Sequence, residues 1–231
     1  MADKTALVVG ASRGLGLGLV KELAGRGWTV IATLRSPSSD KGLKAFADRS
    51  GGRVRVETLD LEDGKAIDAL GERLAGDTLD LLFVNAGIAG PQGDAKDATP
   101  EDVARLFLTN SVAPVHVAEV LQDRVRPGTG VIAFMSSGLG SISGGFRTGM
   151  ELYSASKAAL NRLSKSFAGG LGDRKITVLL MSPGWVRTDM GGPQAPLAIE
   201  DSVRGVIDVI EAKAGSGEHG FYGHAGETIA W

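Results

Sequence analysis

The chain has 231 residues, with 25 Lys+Arg against 27 Asp+Glu, a formal net charge of −2, no cysteine and 34 glycines. Without cysteine there is no disulfide framework, thiolate nucleophile or cysteine–zinc site. A near-neutral balance also argues against a partner recognised through its nucleic-acid phosphates. Glycine stands at roughly twice its usual share of about 7%, with no collagen-like period or low-complexity tract to account for it.

This length suits one α/β domain with a full core, and with neither a repeat nor a linker we expect residues 1–231 to form a single domain. Met1–Lys4 leads straight into an apolar run, without the basic and long apolar regions of a leader. The longest uncharged stretch, 127–146, holds six Gly and four Ser and reads as strand plus turns, not as a membrane span. A soluble, cytoplasmic chain with no membrane partner is the expectation.

The first strand, Ala6–Val9, runs into Gly10-Ala11-Ser12-Arg13-Gly14-Leu15-Gly16 and then a helix over Leu15–Gly25. A tight strand-to-helix turn offers unpaired N–H groups and a positive dipole end to an anion. Gly10 would permit the turn, Gly14 a close approach to a diphosphate, and Gly16 tight helix–strand packing. The G-x-x-x-G-x-G spacing differs from the commoner dinucleotide fingerprint, and turn glycines alone would also produce it.

The second strand, Thr29–Thr33, ends in Leu34-Arg35. An acid at this strand end usually holds a ribose 2′-hydroxyl, but here it is a leucine, and a guanidinium fork follows that suits a 2′-phosphate. Arg13 and Arg35 therefore point to NADP(H) in preference to NAD(H), although both would also sit comfortably in solvent. A helix over Pro37–Ser50, a strand over Val54–Leu59, a helix over Gly64–Leu74 and a strand over Leu79–Asn85 follow.

A long helix is predicted over Pro100–Arg124, with Thr99 as cap, Pro100 at the first helical position and Asp102 in the capping-box place. Pro114 should kink it and free the carbonyl of Asn110 four residues earlier. Next come a strand over Val131–Met135, a helix over Tyr153–Ala168, a strand over Ile176–Met181, a helix over Ile199–Lys213 and a short last strand near Thr228–Ile229. Short Val/Ile/Leu runs alternating with helices predict a doubly wound parallel sheet.

Tyr153 and Lys157 stand at i and i+4 on one helix face. A phenol ordinarily ionises near pH ~10, and a neighbouring ammonium favours its anion, so the pair suits proton transfer. An amphipathic helix with a packed Tyr and an exposed Lys would have the same spacing.

The motifs Gly10–Gly16, Asp60-Leu61, Asn85-Ala86-Gly87, Asn110, Ser136-Ser137, Tyr153/Lys157 and Pro183-Gly184 occur in order, and through them the chain resembles the short-chain dehydrogenase/reductase family. The resemblance implies a Rossmann-type α/β fold with a seven-stranded parallel sheet in the order 3-2-1-4-5-6-7. It implies that Tyr153 protonates the substrate oxygen, that Lys157 lowers the phenol's pKa and binds the nicotinamide ribose, and that Ser137 holds the carbonyl oxygen. Asn110 would anchor a water linking Lys157 to solvent. Gly10, Ser12, Arg13, Gly14, Leu15, Gly16 and Arg35 would contact the cofactor. Asp60 and Leu61 would contact adenine, and Asn85, Ala86 and Gly87 would pass beneath the adenosine ribose. Pro183, Gly184, Val186 and Thr188 would cover the nicotinamide amide and diphosphate.

Val9 and Val84 replace polar residues common in the family, leaving backbone bonds to hold those loops. The sixteen residues from Ser137 to Tyr153 exceed the family's usual spacing, and the extra length falls in Ser141–Met150. Together with Pro-Gly-Trp-Val-Arg-Thr-Asp-Met at 183–190 and the closing Gly-Glu-Thr-Ile-Ala-Trp, this is similar to the C-factor and sniffer-like carbonyl reductase branch. The expected function is NADPH-dependent reduction of a small carbonyl substrate by a homo-oligomer, with a nucleotide-binding signalling or sensor protein as the alternative. A 3-oxoacyl reductase serving an acyl carrier would need a basic docking patch, for which Arg124 and Arg126 are too few. Leu139, Phe146, Met150, Trp185 and Met190 are candidates for an apolar pocket or for ordinary core. His116, His219 and His224 lack metal-ligand spacing, and no metal is expected.

Overall fold

A computed structural model describes residues 4–91, 93, 95–144 and 149–231. The strands are β1 (Thr5–Val9), β2 (Thr29–Leu34), β3 (Val54–Thr58), β4 (Leu81–Val84), β5 (Val131–Met135), β6 (Thr177–Ser182) and β7 (His219–Gly223). They form one sheet in the order β3-β2-β1-β4-β5-β6-β7, and every neighbouring pair is parallel. The helices between them are α1 (Gly14–Gly25), α2 (Leu43–Asp48), α3 (Gly64–Arg73), α4 (Pro100–Phe107), α5 (Ala113–Leu121), α6 (Glu151–Gly170) and α7 (Ile199–Lys213). None of the described helices is long and apolar enough to cross a membrane.

Alternation along each strand divides the core between the two faces. Leu7 and Val9 of β1, with Ile132 and Phe134 of β5, bury against Ile67, Leu121, Leu160 and Phe167 from α3, α5 and α6. Ala6 and Val8, with Val131, Ala133 and Met135, bury against Leu19, Leu23, Val206 and Ile210 from α1 and α7. Because both faces are covered, the strands read as continuous apolar runs.

Three expectations change in detail. The helix predicted over 37–50 divides into a 3₁₀ turn (Pro37–Ser39) and α2, because Asp40 Oδ1 accepts from the amides of Gly42 and Leu43 and starts a new helix. The long helix keeps its Thr99 cap, whose Oγ1 accepts from the Asp102 amide, but passes through a π-turn (Leu108–Val112) before Pro114. A widened turn accommodates the missing proline N–H. The last strand is His219–Gly223, while Thr228 bridges antiparallel to Tyr222 and Ile229 donates to the Phe221 carbonyl. His-Gly-Phe-Tyr-Gly has no apolar run to announce a strand, so the stronger Thr-Ile signal misplaced it by one turn.

The α1–α7 layer is fastened by Arg26. Its guanidinium meets Glu22 at 2.8 Å, Asp208 at 2.7 Å and Glu211 at 2.7 Å, with a side chain only 22% exposed. Three acids around one planar donor make a network, not an isolated surface pair. Arg26→Ala is expected to lower the unfolding free energy by about 1–2 kcal/mol, read by urea denaturation at pH 7, and Arg26→Lys should recover only part of the loss.

Candidate active site

The motif residues lie just beyond the C-terminal ends of the strands: Gly10 after β1, Arg35 after β2, Asp60 after β3, Asn85 after β4, Ser137 after β5 and Pro183 after β6. β1 and β4 are neighbours although the chain leaves β1 for β2, so the loops after them diverge and open a crevice at the switch in strand order.

The crevice floor is formed by close backbone contacts. A Cβ on Gly10, which has φ +84°, would lie 2.6 Å from Ala86 Cβ, and one on Gly16 would lie 2.0 Å from the Gly10 oxygen. Asn85 Nδ2 donates to that same oxygen at 2.8 Å, and the Asn85 and Ala86 amides both donate to the Val9 carbonyl at 3.0 Å. Backbone bonds thus hold the loop at Val9, as expected. Thr33 adds a support that the sequence reading missed: its Oγ1 accepts from Gly10 N at 3.0 Å, and its carbonyl accepts from Ala11 N at 2.7 Å. A polar residue inside the apolar β2 run was the available signal.

On the rim, Arg13 pairs with Asp189 at 2.7 Å, spanning from the glycine loop to the segment after β6. Gly14 faces Thr188 across the same gap, where a Cβ would still be 3.8 Å from Thr188 Cγ2. Arg35 is exposed beyond β2 and makes no ion pair among the described residues. The Lys41 amide donates to the Ser12 carbonyl at 3.2 Å and brings a further cationic residue to this rim. Asp60 Oδ1 accepts from Glu62 N at 3.0 Å beside the buried Leu61, while the Pro183 carbonyl is held by Ser202 Oγ at 2.7 Å. Val186 is buried, and Thr188 Oγ1 accepts from Gly191 N at 3.0 Å.

The four catalytic candidates come together where α6 crosses the end of β5. On α6, Tyr153, Ser156, Lys157, Leu160, Asn161 and Ser164 form the buried face. The Tyr153 hydroxyl faces Ser137, which favours its ionised form, and Lys157 Nζ lies 5.7 Å from the Tyr153 ring centre while donating to the Met135 carbonyl at 2.8 Å. Ser136 points elsewhere, donating to Asn161 Oδ1 at 2.7 Å, so only the second serine of the pair faces the tyrosine. A Cβ on Gly87 would lie 3.2 Å from Asn110 Oδ1 and 3.3 Å from Lys157 Nζ, so the loop after β4 abuts the cluster of candidate residues.

Asn110 is fully buried, and its amide is fully committed. Oδ1 accepts from Ile88 N at 2.8 Å, while Nδ2 donates to the Ile88 carbonyl at 2.8 Å and to Ser156 Oγ at 3.1 Å. In an α-helical register Pro114, which has no N–H, would leave the Asn110 main-chain oxygen without its donor. Ser111, Ser156 and Asn161 were missed as members of this network; the unusual run of polar residues on a buried helix face was their signal.

Of the apolar candidates, Trp185 is 59% and Met190 48% exposed, which places them on a rim instead of in the core. Leu139 borders a cavity of about 230 Å³ on the other flank of α6, beside Ser154, Ala155 and Ala158 and away from Tyr153. Met150 is half-buried, and Phe146 lies outside the described residues. No three His, Asp or Glu side chains converge as metal ligands among the described residues.

Burial dominates the electrostatics. It pushes the Tyr153 phenol up to about 12, against the opposing hydrogen bond from Ser137, and it lowers the Lys157 ammonium to about 8. In the protein alone, desolvation therefore outweighs the lowering of the phenol expected from Lys157. The lysine binds its proton more weakly in the fold than in the unfolded chain, so stability should rise from pH 8 toward 10, where tyrosine ionisation begins to oppose it. Lys157→Met should raise stability at pH 7 by about 1–3 kcal/mol, with the advantage shrinking above pH ~9, as read by thermal melts across that range.

The sequence pattern described as short chain dehydrogenase matches residues 4–196. A carbonyl reductase from Pseudomonas aeruginosa PAO1 in complex with NADP is 42% identical and superposes with a TM-score of 0.91, covering 100% of both chains. The carbonyl reductase Sniffer of D. melanogaster is 31% identical with a TM-score of 0.90, covering 99% of this chain and 100% of its own. The C-signal protein of Myxococcus xanthus is 34% identical over 154 residues, 66% of this chain and 93% of that protein. The parallel sheet, the glycine loop and the Tyr153–Lys157 helix thus belong to a short-chain dehydrogenase/reductase, an oxidoreductase of the C-factor and sniffer-like branch.

Proposed function

We propose that the whole chain, residues 1–231, acts as one NADP(H)-binding unit: a cytoplasmic carbonyl reductase that prefers NADP(H) to NAD(H) and converts a small aldehyde or ketone to an alcohol. The observation that carries this reading is the buried Tyr153 facing Ser137, with the buried Lys157 Nζ 5.7 Å from its ring and held by the Met135 carbonyl. The NADP-bound relative at 42% identity supports the cofactor.

The crevice fits a dinucleotide. Its floor is bare backbone at Gly10 and Gly16, and the open gap between Gly14 and Thr188 would take a diphosphate at the start of α1. Gly10, Ser12, Arg13, Gly14, Leu15 and Gly16 would hold that diphosphate with Gly184 and Thr188. Asp60 and Leu61 would bind the adenine, and Asn85, Ala86 and Gly87 the adenosine ribose. Pro183 and Val186 would cover the nicotinamide. Arg35, Arg13 and the neighbouring Lys41 would meet a 2′-phosphate, Arg13 leaving Asp189 to do so.

When bound, NADPH would supply the hydride and, once oxidised, a positive charge near the phenol. Tyr153, kept protonated by burial, would donate its proton to the carbonyl oxygen as that oxygen gains charge. Ser137 would hold the same oxygen. Lys157 would stabilise the phenolate left behind and bind the ribose by turning from Met135. The Asn110 carbonyl, freed by Pro114, would hold a water through which a proton returns from solvent.

Exposed Leu108, Val112 and Leu163, on the packed π-turn and α6, offer an apolar face for the partner copy of a homo-oligomer. The C-signal relative favours a second reading, a nucleotide-binding signalling protein with incidental reductase activity. Tight NADPH binding with no oxidation above background across a carbonyl panel would select that reading.

Tyr153→Phe is expected to lower kcat by about 10²–10⁴-fold with NADPH affinity retained; full turnover would refute the proton-donor role. Arg35→Ala should weaken NADPH by about 10–100-fold and NADH by less than about twofold, measured by titration of cofactor fluorescence. Equal losses would show that Arg35 does not read the phosphate.

A further inference from the structure

We propose that Trp231 is a positioning residue for the Tyr153–Ser137 pair, holding through Ser143 the Gly138–Gly144 turn that leads away from Ser137. The proposal rests on the reading of that pair as the reacting groups. Ser143 donates twice to the Trp231 main-chain oxygen, from N at 3.1 Å and from Oγ at 2.6 Å. These bonds cross 88 residues of sequence and fasten the glycine-rich segment to the far edge of the sheet.

The oxygen can serve as an anchor because the Trp231 ring is itself fixed. It stacks on His219 with centroids 4.9 Å apart and planes 5° apart, and it leans on Phe221 at 5.6 Å. Both partners belong to β7, and the chain between them and Trp231 returns along β7 through the Ile229 N bond to the Phe221 carbonyl at 2.8 Å. Burial, aided by the Lys165 charge, lowers the His219 imidazole to about 4, so the stacked ring is neutral around pH 7, and its Nε2 is 3.1 Å from Ser164 Oγ.

At its other end the turn is coupled to the reaction centre. Ser137 caps it, with Oγ accepting from Leu139 N at 3.2 Å, and that same serine faces the Tyr153 hydroxyl. Gly138 N donates to Ser182 Oγ at 2.9 Å, and Asn161 Nδ2 to the Gly140 carbonyl at 3.2 Å. Among the described residues beyond Gly140, the Ser143–Trp231 hydrogen bonds tie a segment in which Ile142 is 80% exposed to the far edge of the sheet. Releasing them would let the turn swing and would loosen the hydroxyl that must meet the substrate oxygen, where small displacements are costly to rate.

The test compares full-length wild type, Trp231→Ala, Trp231→Phe and Ser143→Ala, each with and without NADPH. Hydrogen–deuterium exchange over Ser141–Gly144 should be about tenfold faster in Trp231→Ala and Ser143→Ala and near wild type in Trp231→Phe, which keeps a stacking ring. The kcat for carbonyl reduction should fall by about tenfold in the first two, with the NADPH dissociation constant within about twofold of wild type. Ser143→Ala lies on an exposed turn and leaves the β7 packing intact, so its result does not depend on whether Trp231→Ala folds. Unchanged exchange in Ser143→Ala overturns the clasp, and faster exchange with unchanged kcat overturns its positioning role. A wild type that binds NADPH yet reduces no carbonyl overturns the functional reading, and the positioning role with it, while the exchange arm still decides the clasp.

Discussion

A lysine ammonium buried against the end of a strand is the constraint around which this molecule is arranged. Lys157 has almost no exposed surface, and its charge meets the Met135 carbonyl. Burying such a group opposes folding unless its surroundings are polar and fixed. The chain supplies that setting from several elements at once. Ser156 and Asn161 flank the lysine on α6, Asn110 and Ser111 approach from the π-turn, and Ser136 and Ser182 close the ends of β5 and β6. The π-turn follows from the same demand: it lets a proline follow Asn110 closely while the asparagine amide stays bonded to Ile88 and Ser156.

The dinucleotide crevice rests on a separate constraint, the close approach of main chain at the switch between β1 and β4. Gly10 touches Ala86, and Gly16 sits over the Gly10 oxygen, so any side chain there would force the strands apart. Thr33 and Asn85 then fix the amides and carbonyls of this loop from either side. The two constraints meet at Gly87, whose backbone abuts both Asn110 and Lys157. At that junction the crevice floor and the Tyr153–Lys157 cluster share one piece of backbone.

Much of this was legible because it depends on local pattern. The apolar runs of β1, β5 and β6 and the i, i+4 spacing of Tyr153 and Lys157 are properties of short segments, and the structure places them close to where they were read. The glycine excess was legible too, as close backbone approach at Gly10 and Gly16. Tertiary pairing was not. Nothing local marks Ser143 and Trp231 as partners, or Arg13 and Asp189, or Thr33 and Gly10. The last strand was expected near Thr228–Ile229 and lies at His219–Gly223, because its neighbours, not its own apolar content, make that segment a strand. Likewise the spacing of Tyr153 and Lys157 predicts proximity but not the balance of charge, which depends on burial supplied by distant segments.

In the function proposed, Tyr153 is a proton donor held in reserve until a cofactor's charge arrives. The chain has only two tyrosines, so in a Tyr222→Phe background the tyrosinate absorbance reports Tyr153 alone. Without cofactor, no ionisation should appear below pH ~10; with saturating NADP⁺ the transition should fall by about two units or more. A transition that stays in place when NADP⁺ binds would rule out Tyr153 as a proton donor tuned by the cofactor's charge.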